Sequence, residues 1–186
     1  MPKSHRVGFT LIEVLIVVTL IGILSAIAIP RIRLSGYNAD AGMRVAQGAL
    51  QQAQRSAIVR QTDVMVSFDT LGGRIRTVFD ANGNHSYDPG EELHWRPLED
   101  GDRFGTPPKG VQLVAGASVA GSSLSSRDGF PTVYYHRDGA LSSELEVYVR
   151  SATPDSRDFR ALHVRQATGR VRLYRYDGAV WKGAGL

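Results

Sequence analysis

The 186-residue chain has no cysteine, so disulfides, a thiolate nucleophile and cysteine-ligated metals are all excluded. Also missing are a Gly-x-Ser-x-Gly elbow, a phosphate-cradling glycine loop and two histidines at metal-ligand spacing. His136 and His163 stand singly in strand-like runs, where surface or packing roles are expected. These gaps leave no support for an enzyme. There is no internal repeat and no long low-complexity tract. The longest biased stretch, GASVAGSSLSSRDG at 116–129, reads as a loop. Charge is only mildly one-sided: a net charge of +4 and a pI of about 9.6 are compatible with an anionic partner without demanding one.

What is present first is one long apolar run. Phe9 to Ile29 is almost wholly apolar and, as a helix, spans roughly 30 Å, about the hydrocarbon thickness of a bilayer. Glu13 interrupts it. A carboxylate in such a segment costs roughly 2.5–3.5 kcal/mol on insertion scales, and no lysine or arginine lies inside the run to offset it. Lys3, His5 and Arg6 form a basic lead-in, and Ala26-Ile27-Ala28 offers a small-x-small site, as a secretory signal would. The run is too long for a usual signal, however, and Glu13 spoils it. Arg31 and Arg33 balance Lys3 and Arg6, so charge alone does not set a topology.

The residues GFTLIEVLIVVTLIGILSAIAIP, Gly8 to Pro30, resemble the N-terminus of type IV pilins and type II secretion pseudopilins. The resemblance implies that 1–8 is a leader removed by a prepilin peptidase, which cuts between Gly8 and Phe9 and methylates the new amine. Glu13 then becomes the fifth residue of the mature chain, where this class carries its glutamate. It also supplies the missing partner: the ammonium at Phe9 of a neighbouring subunit pairs with Glu13 inside a filament, relieving both buried charges. Pro30 falls where many pilins have a kinking proline. The chain departs from many pilins in lacking the C-terminal disulfide.

Past Pro30 the spacing of Met43, Ala46, Leu50, Ala53 and Ala57 predicts an amphipathic helix, ending near Arg60 or Gln61, with a narrow stripe of small residues for a sheet to pack on. Strands are expected at 64–68, 74–79, 111–115, 132–137, 145–150, 161–166 and 170–176. The fold class is therefore α+β, with a long N-terminal helix, half membrane-spanning (9–29) and half amphipathic (30–61), under antiparallel sheet from 62 to 186. The strand order, more loosely, resembles H-type minor pseudopilins and FimT-type minor pilins. This implies a bacterial inner-membrane protein with a periplasmic domain, partnered by other pilins. A minor pilin of a type IV pilus, helping assembly and capturing DNA, and a minor pseudopilin of a secretion system both stay open.

Two further sites are legible. In DANGNHSYDPGE, Asp80, Asn82, Asn84, Ser86, Asp88 and Glu91 occupy the ligand positions of an EF-hand-type calcium loop, with His85 where that loop wants glycine. A turn-rich hairpin tip explains the same residues without metal. From Val147 onward there are eight Lys/Arg against three Asp/Glu. Alternation places Arg170, Arg172 and Tyr174 on one face of a strand. His163 and Arg165 sit on the strand before it, so that, if the two pair, one exposed face gathers the arginines and the tyrosine. Guanidiniums beside an aromatic suit a nucleic-acid backbone, and Gly169-Arg-Val-Arg172 resembles the basic C-terminal motif of DNA-capturing FimT-type pilins. A solvated strand face or a contact with another pilin explains the same pattern.

Overall fold

Helix α1 (Leu11–Ala28) is apolar on every side. The computed structural model describes residues 9–28, 34–98, 102–106, 117–119, 124–150 and 159–183; Gly8, Pro30 and the expected strand at 111–115 lie outside these. The chain divides into two units, Met1–Leu34 and Ser35–Leu186. In the first, Thr10 caps α1, its hydroxyl accepting the Glu13 N–H at 3.3 Å. Thr19 hides its own hydroxyl by donating to Leu15 and Ile16 carbonyls at 3.0 and 2.8 Å. Its 18 residues rise about 27 Å. Among the described residues no helix is long and apolar enough to cross a membrane.

The second unit is built on α2 (Leu34–Arg60). Ala39, Met43, Ala46, Leu50, Ala53 and Ala57 recur every three or four residues, and all are buried. Gln61 ends the helix in a left-handed conformation (φ 55°), and its side chain donates to the Ile58 carbonyl at 2.7 Å.

Two sheets share the core with α2. The first has the order β3-β2-β1-β7-β6, with β1 Asp63–Asp69, β2 Arg74–Asp80, β3 Leu93–Pro97, β6 Ser126–Arg127 and β7 Phe130–Tyr135. The second runs β11-β10-β9-β8-β4, with β4 Arg103–Phe104, β8 Leu145–Arg150, β9 Arg160–Val164, β10 Val171–Tyr176 and β11 Trp181–Gly183. A short β5 (Ala117–Ser118) pairs parallel to β8; the other pairings are antiparallel. The backbone bridge Tyr135–Leu141 ties the end of β7 to the connection that leads to β8.

Met65–Phe68 and Leu145–Val149 are buried along their whole length, so both faces of these strands are covered. Over the first sheet, the 81–92 loop lays His85 flat on Tyr134, with ring centroids 3.9 Å apart. Over the second, Trp181 packs on Tyr148 and Tyr176 at 5.7 and 5.1 Å. β3 escaped the sequence reading because LHWRP is half-exposed and ends in proline, which an edge strand tolerates.

Candidate functional site

The N-terminal site is local. Phe9, 84% exposed, begins the described chain two residues before α1, and Glu13 lies in that helix's first turn. Thr10 and Glu13 hold the spacing of a capping box. A carboxylate in the first turn also faces the positive end of the helix dipole, a local benefit that the apolar pattern alone did not reveal.

The arginine site is assembled across the second unit. Gly169 turns the chain from β9 into β10 at φ 60°, where its missing side chain leaves room for the Gly139 carbonyl and the Gln54 amide. Gln54, on α2, donates to the carbonyls of Gly139 and Thr168, both at 2.9 Å. This tie sets the start of β10 beside the helix. Between them lies an open groove of about 900 Å³, lined by Gln47, Gln51 and Gln54 on one side and by Arg165, Arg170, Arg172 and Tyr174 on the other. Half-buried Val171 and Leu173 also line it.

The structure thus brings the four predicted residues together; His163, paired opposite Arg172, shares their sheet face but is covered there. His163 is buried 2.7 Å from Glu144, whose other oxygen accepts the Gln166 N–H at 2.9 Å. Strand alternation predicted its face correctly; it did not show that the face is covered there. The three glutamines were not foreseen as part of any site, since they lie over a hundred residues away along the chain.

The 80–91 loop is closed by its own hydrogen bonds. Buried Asp80 accepts N–H groups from Gly83, Asn84 and His85 at 2.7–3.2 Å. Glu91 accepts from Ala81 and Asp88 at 2.9 and 3.1 Å. Asn82 and Asn84 converge on Asp88, at 2.7 and 2.6 Å. Ser86 joins through its backbone N–H, which donates to Asn84. His85 does adopt a left-handed backbone (φ 55°) and bonds Asp63 at 3.0 Å, so glycine's conformation is met without glycine. Among the described residues, no three histidine or carboxylate groups form a metal cluster.

An apolar helix with a glutamate in its Thr10-capped first turn, followed by a helix-centred pair of sheets, is the arrangement of pilin-type subunits. Residues 5–29 match the family described as "Prokaryotic N-terminal methylation motif", and residues 43–169 match "Type II transport protein GspH". The chain belongs to the GspH family of minor pilins and pseudopilins. It is 34% identical over 89 residues to the pilin-like protein PilA1 of Thermus thermophilus, a match covering 47% of this chain and 57% of that one. The chain therefore spans little more than half the length of that relative. Among solved structures it is similar to the minor pseudopilin EpsH of the Vibrio cholerae type 2 secretion system, at TM-score 0.49 and 14% identity, covering 76% of this chain and 97% of that one. A second EpsH structure matches at TM-score 0.45 and 11% identity, over 72% and 92% of the two chains.

Proposed function

We propose that the chain is a non-catalytic minor subunit of a type IV pilus, held in the bacterial inner membrane by its first helix with the sheet domain in the periplasm. A prepilin peptidase cuts between Gly8 and Phe9 and methylates Phe9. Glu13 then pairs with the Phe9 ammonium of a neighbour as the filament forms. The observation that carries this is Glu13 itself, placed at the fifth position after the cleavage glycine, in an apolar helix without a cation of its own. The 34% identity to a pilin-like protein supports a pilus over a secretion pseudopilus. Mass spectrometry of the protein from cell envelopes should give a mature chain that starts at a methylated Phe9. A chain starting at Ile29, just after Ala28, would mean that signal peptidase acted, and the reading would fail.

The arginine groove offers a DNA backbone three guanidiniums and Tyr174. Among the described residues no helix protrudes for a major groove, so duplex binding there would be weak, blind to sequence and steeply salt-dependent.

A second reading concerns the 80–91 loop, which we propose as a weak calcium site. The left-handed His85 and the convergence of Asn82, Asn84 and Asp88 support it. Turning both asparagine amides toward Asp88 would add their oxygens to the carboxylates in a hard-oxygen set, at the cost of the N–H bonds that Asn84 and Ser86 donate to those oxygens. Calcium at millimolar concentration should raise the melting temperature by mass action on the folded state, and Asp80→Ala with Glu91→Ala should abolish the rise. An unchanged melting temperature in the unaltered protein would leave a self-bonded turn.

A further inference from the structure

Among the described residues, the first half of β10 has a strand neighbour on one side only, β9. Arg165 N–H donates to the Arg170 carbonyl at 3.3 Å, and Tyr176 N–H to the Phe159 carbonyl at 3.2 Å. Peptide groups of the even-numbered residues therefore face β9, and antiparallel alternation turns those of Val171, Leu173 and Arg175 the other way. On that side β11 begins at Tyr174, opposite Gly183, and places Lys182 opposite Arg175. Among the described residues, none pairs with Val171 or Leu173 there. Such an edge is a template for another strand. Here it opens into the groove against α2, and no carboxylate is among the described residues lining that groove.

We infer that the β10 edge docks an extended segment of a neighbouring protein in the filament, a segment in which acidic and apolar residues alternate. The pattern is written in β10. Arg170, Arg172 and Tyr174 project from one face and Val171 and Leu173 from the other, toward the core. An added strand keeps the same two-residue period, so its carboxylates meet the arginines while its apolar side chains continue the Val171–Leu173 row. Main-chain pairing supplies affinity, and the arginines supply the choice of partner. A nucleic acid satisfies the arginines but leaves the peptide groups of Val171 and Leu173 unpaired, and it finds one aromatic ring where a stacking platform uses several. The identity of the partner as a filament neighbour rests on the function proposed above; the chemistry of the edge does not.

The test uses the full-length protein in detergent and five fluorescent probes: an end-blocked peptide of alternating glutamate and valine, its lysine–valine counterpart, two forms of the glutamate peptide N-methylated at alternate backbone nitrogens in one register or the other, and a short mixed-sequence DNA duplex. The glutamate–valine peptide should bind at least about tenfold more tightly than the lysine peptide, the duplex and the peptide methylated on the nitrogens that face β10. Arg170→Gln with Arg172→Gln should weaken it about tenfold or more at an unchanged melting temperature, and Arg170→Lys with Arg172→Lys should restore part of the loss. If neither N-methylated peptide is weakened, charge acts without strand pairing and the inference falls. Equal binding of the lysine peptide overturns it as well. Tighter binding of the duplex, lost in the same glutamine variant, would make this a nucleic-acid site. Mass spectrometry of the same preparation reports separately on the filament reading, which stands if the chain starts at a methylated Phe9 whatever the peptides do.

Discussion

Gly169 is held at φ 60° with no room for a side chain: a Cβ there would lie 2.2 Å from the Gly139 carbonyl oxygen and 2.4 Å from the Gln54 amide nitrogen. Gly169→Ala should therefore destabilise the domain by about 1–3 kcal/mol, read as a lower urea midpoint. Gly183→Ala is the control, since a Cβ there has nothing within 4 Å, and it should leave the midpoint nearly unchanged. A small effect of Gly169→Ala would mean that the turn moves freely and does not position the arginines. Ala167-Thr-Gly169 was legible as a turn from its residues. That the turn must also admit a side chain from a distant helix was not, because no local pattern encodes a close approach.

Among the elements, α2 was the most legible, because a buried helix facing sheets must repeat its small residues at helical spacing. Its closeness to both sheets depends on those residues staying small. Ala53 is fully buried, and Ala53→Leu should cost about 1–3 kcal/mol by overpacking, measurable by thermal or urea denaturation. A neutral result would mean that slack exists between helix and sheets. The end of α2 is tied to the loop before β3. Hydrogen bonds from Arg60 and then His94 hold the Glu92 carboxyl down to about 2. A depressed carboxyl contributes stability above its ordinary titration range and loses it as the pH falls toward the folded value. The gap in melting temperature between the native protein and Glu92→Gln should therefore close on acidification from about pH 5 to about pH 2. A gap that persists at pH 2 would refute the ion-pair account. This tie was invisible in the sequence, as was β3, whose five half-exposed residues are too short a run, ending in proline, to stand out as a strand.

For the whole molecule, the N-terminal methylation motif was legible, since Gly8, Phe9 and Glu13 sit at fixed offsets along one stretch of chain. The groove was half legible: the arginines follow from strand alternation, but the facing glutamines come from tertiary packing. The prediction at this scale concerns assembly. Glu13→Ala should be cleaved and inserted normally, since it removes a desolvation cost, yet it should be strongly depleted from sheared filaments, because the neighbour's ammonium loses its partner. Incorporation at the native level would remove Glu13 from the assembly mechanism.

Gln54 spends both hydrogens of one side-chain amide on two turns, one between β7 and β8 and the other between β9 and β10. Those turns lie in different connections, but neither can swing away from the helix without breaking a bond to the same nitrogen. Their openings are thereby correlated. In hydrogen exchange, the amides of Gly139 and Gly169, each donating within its own turn at 2.8 Å, should lose protection together and at similar rates, as one cooperative unit rather than two frayed ends.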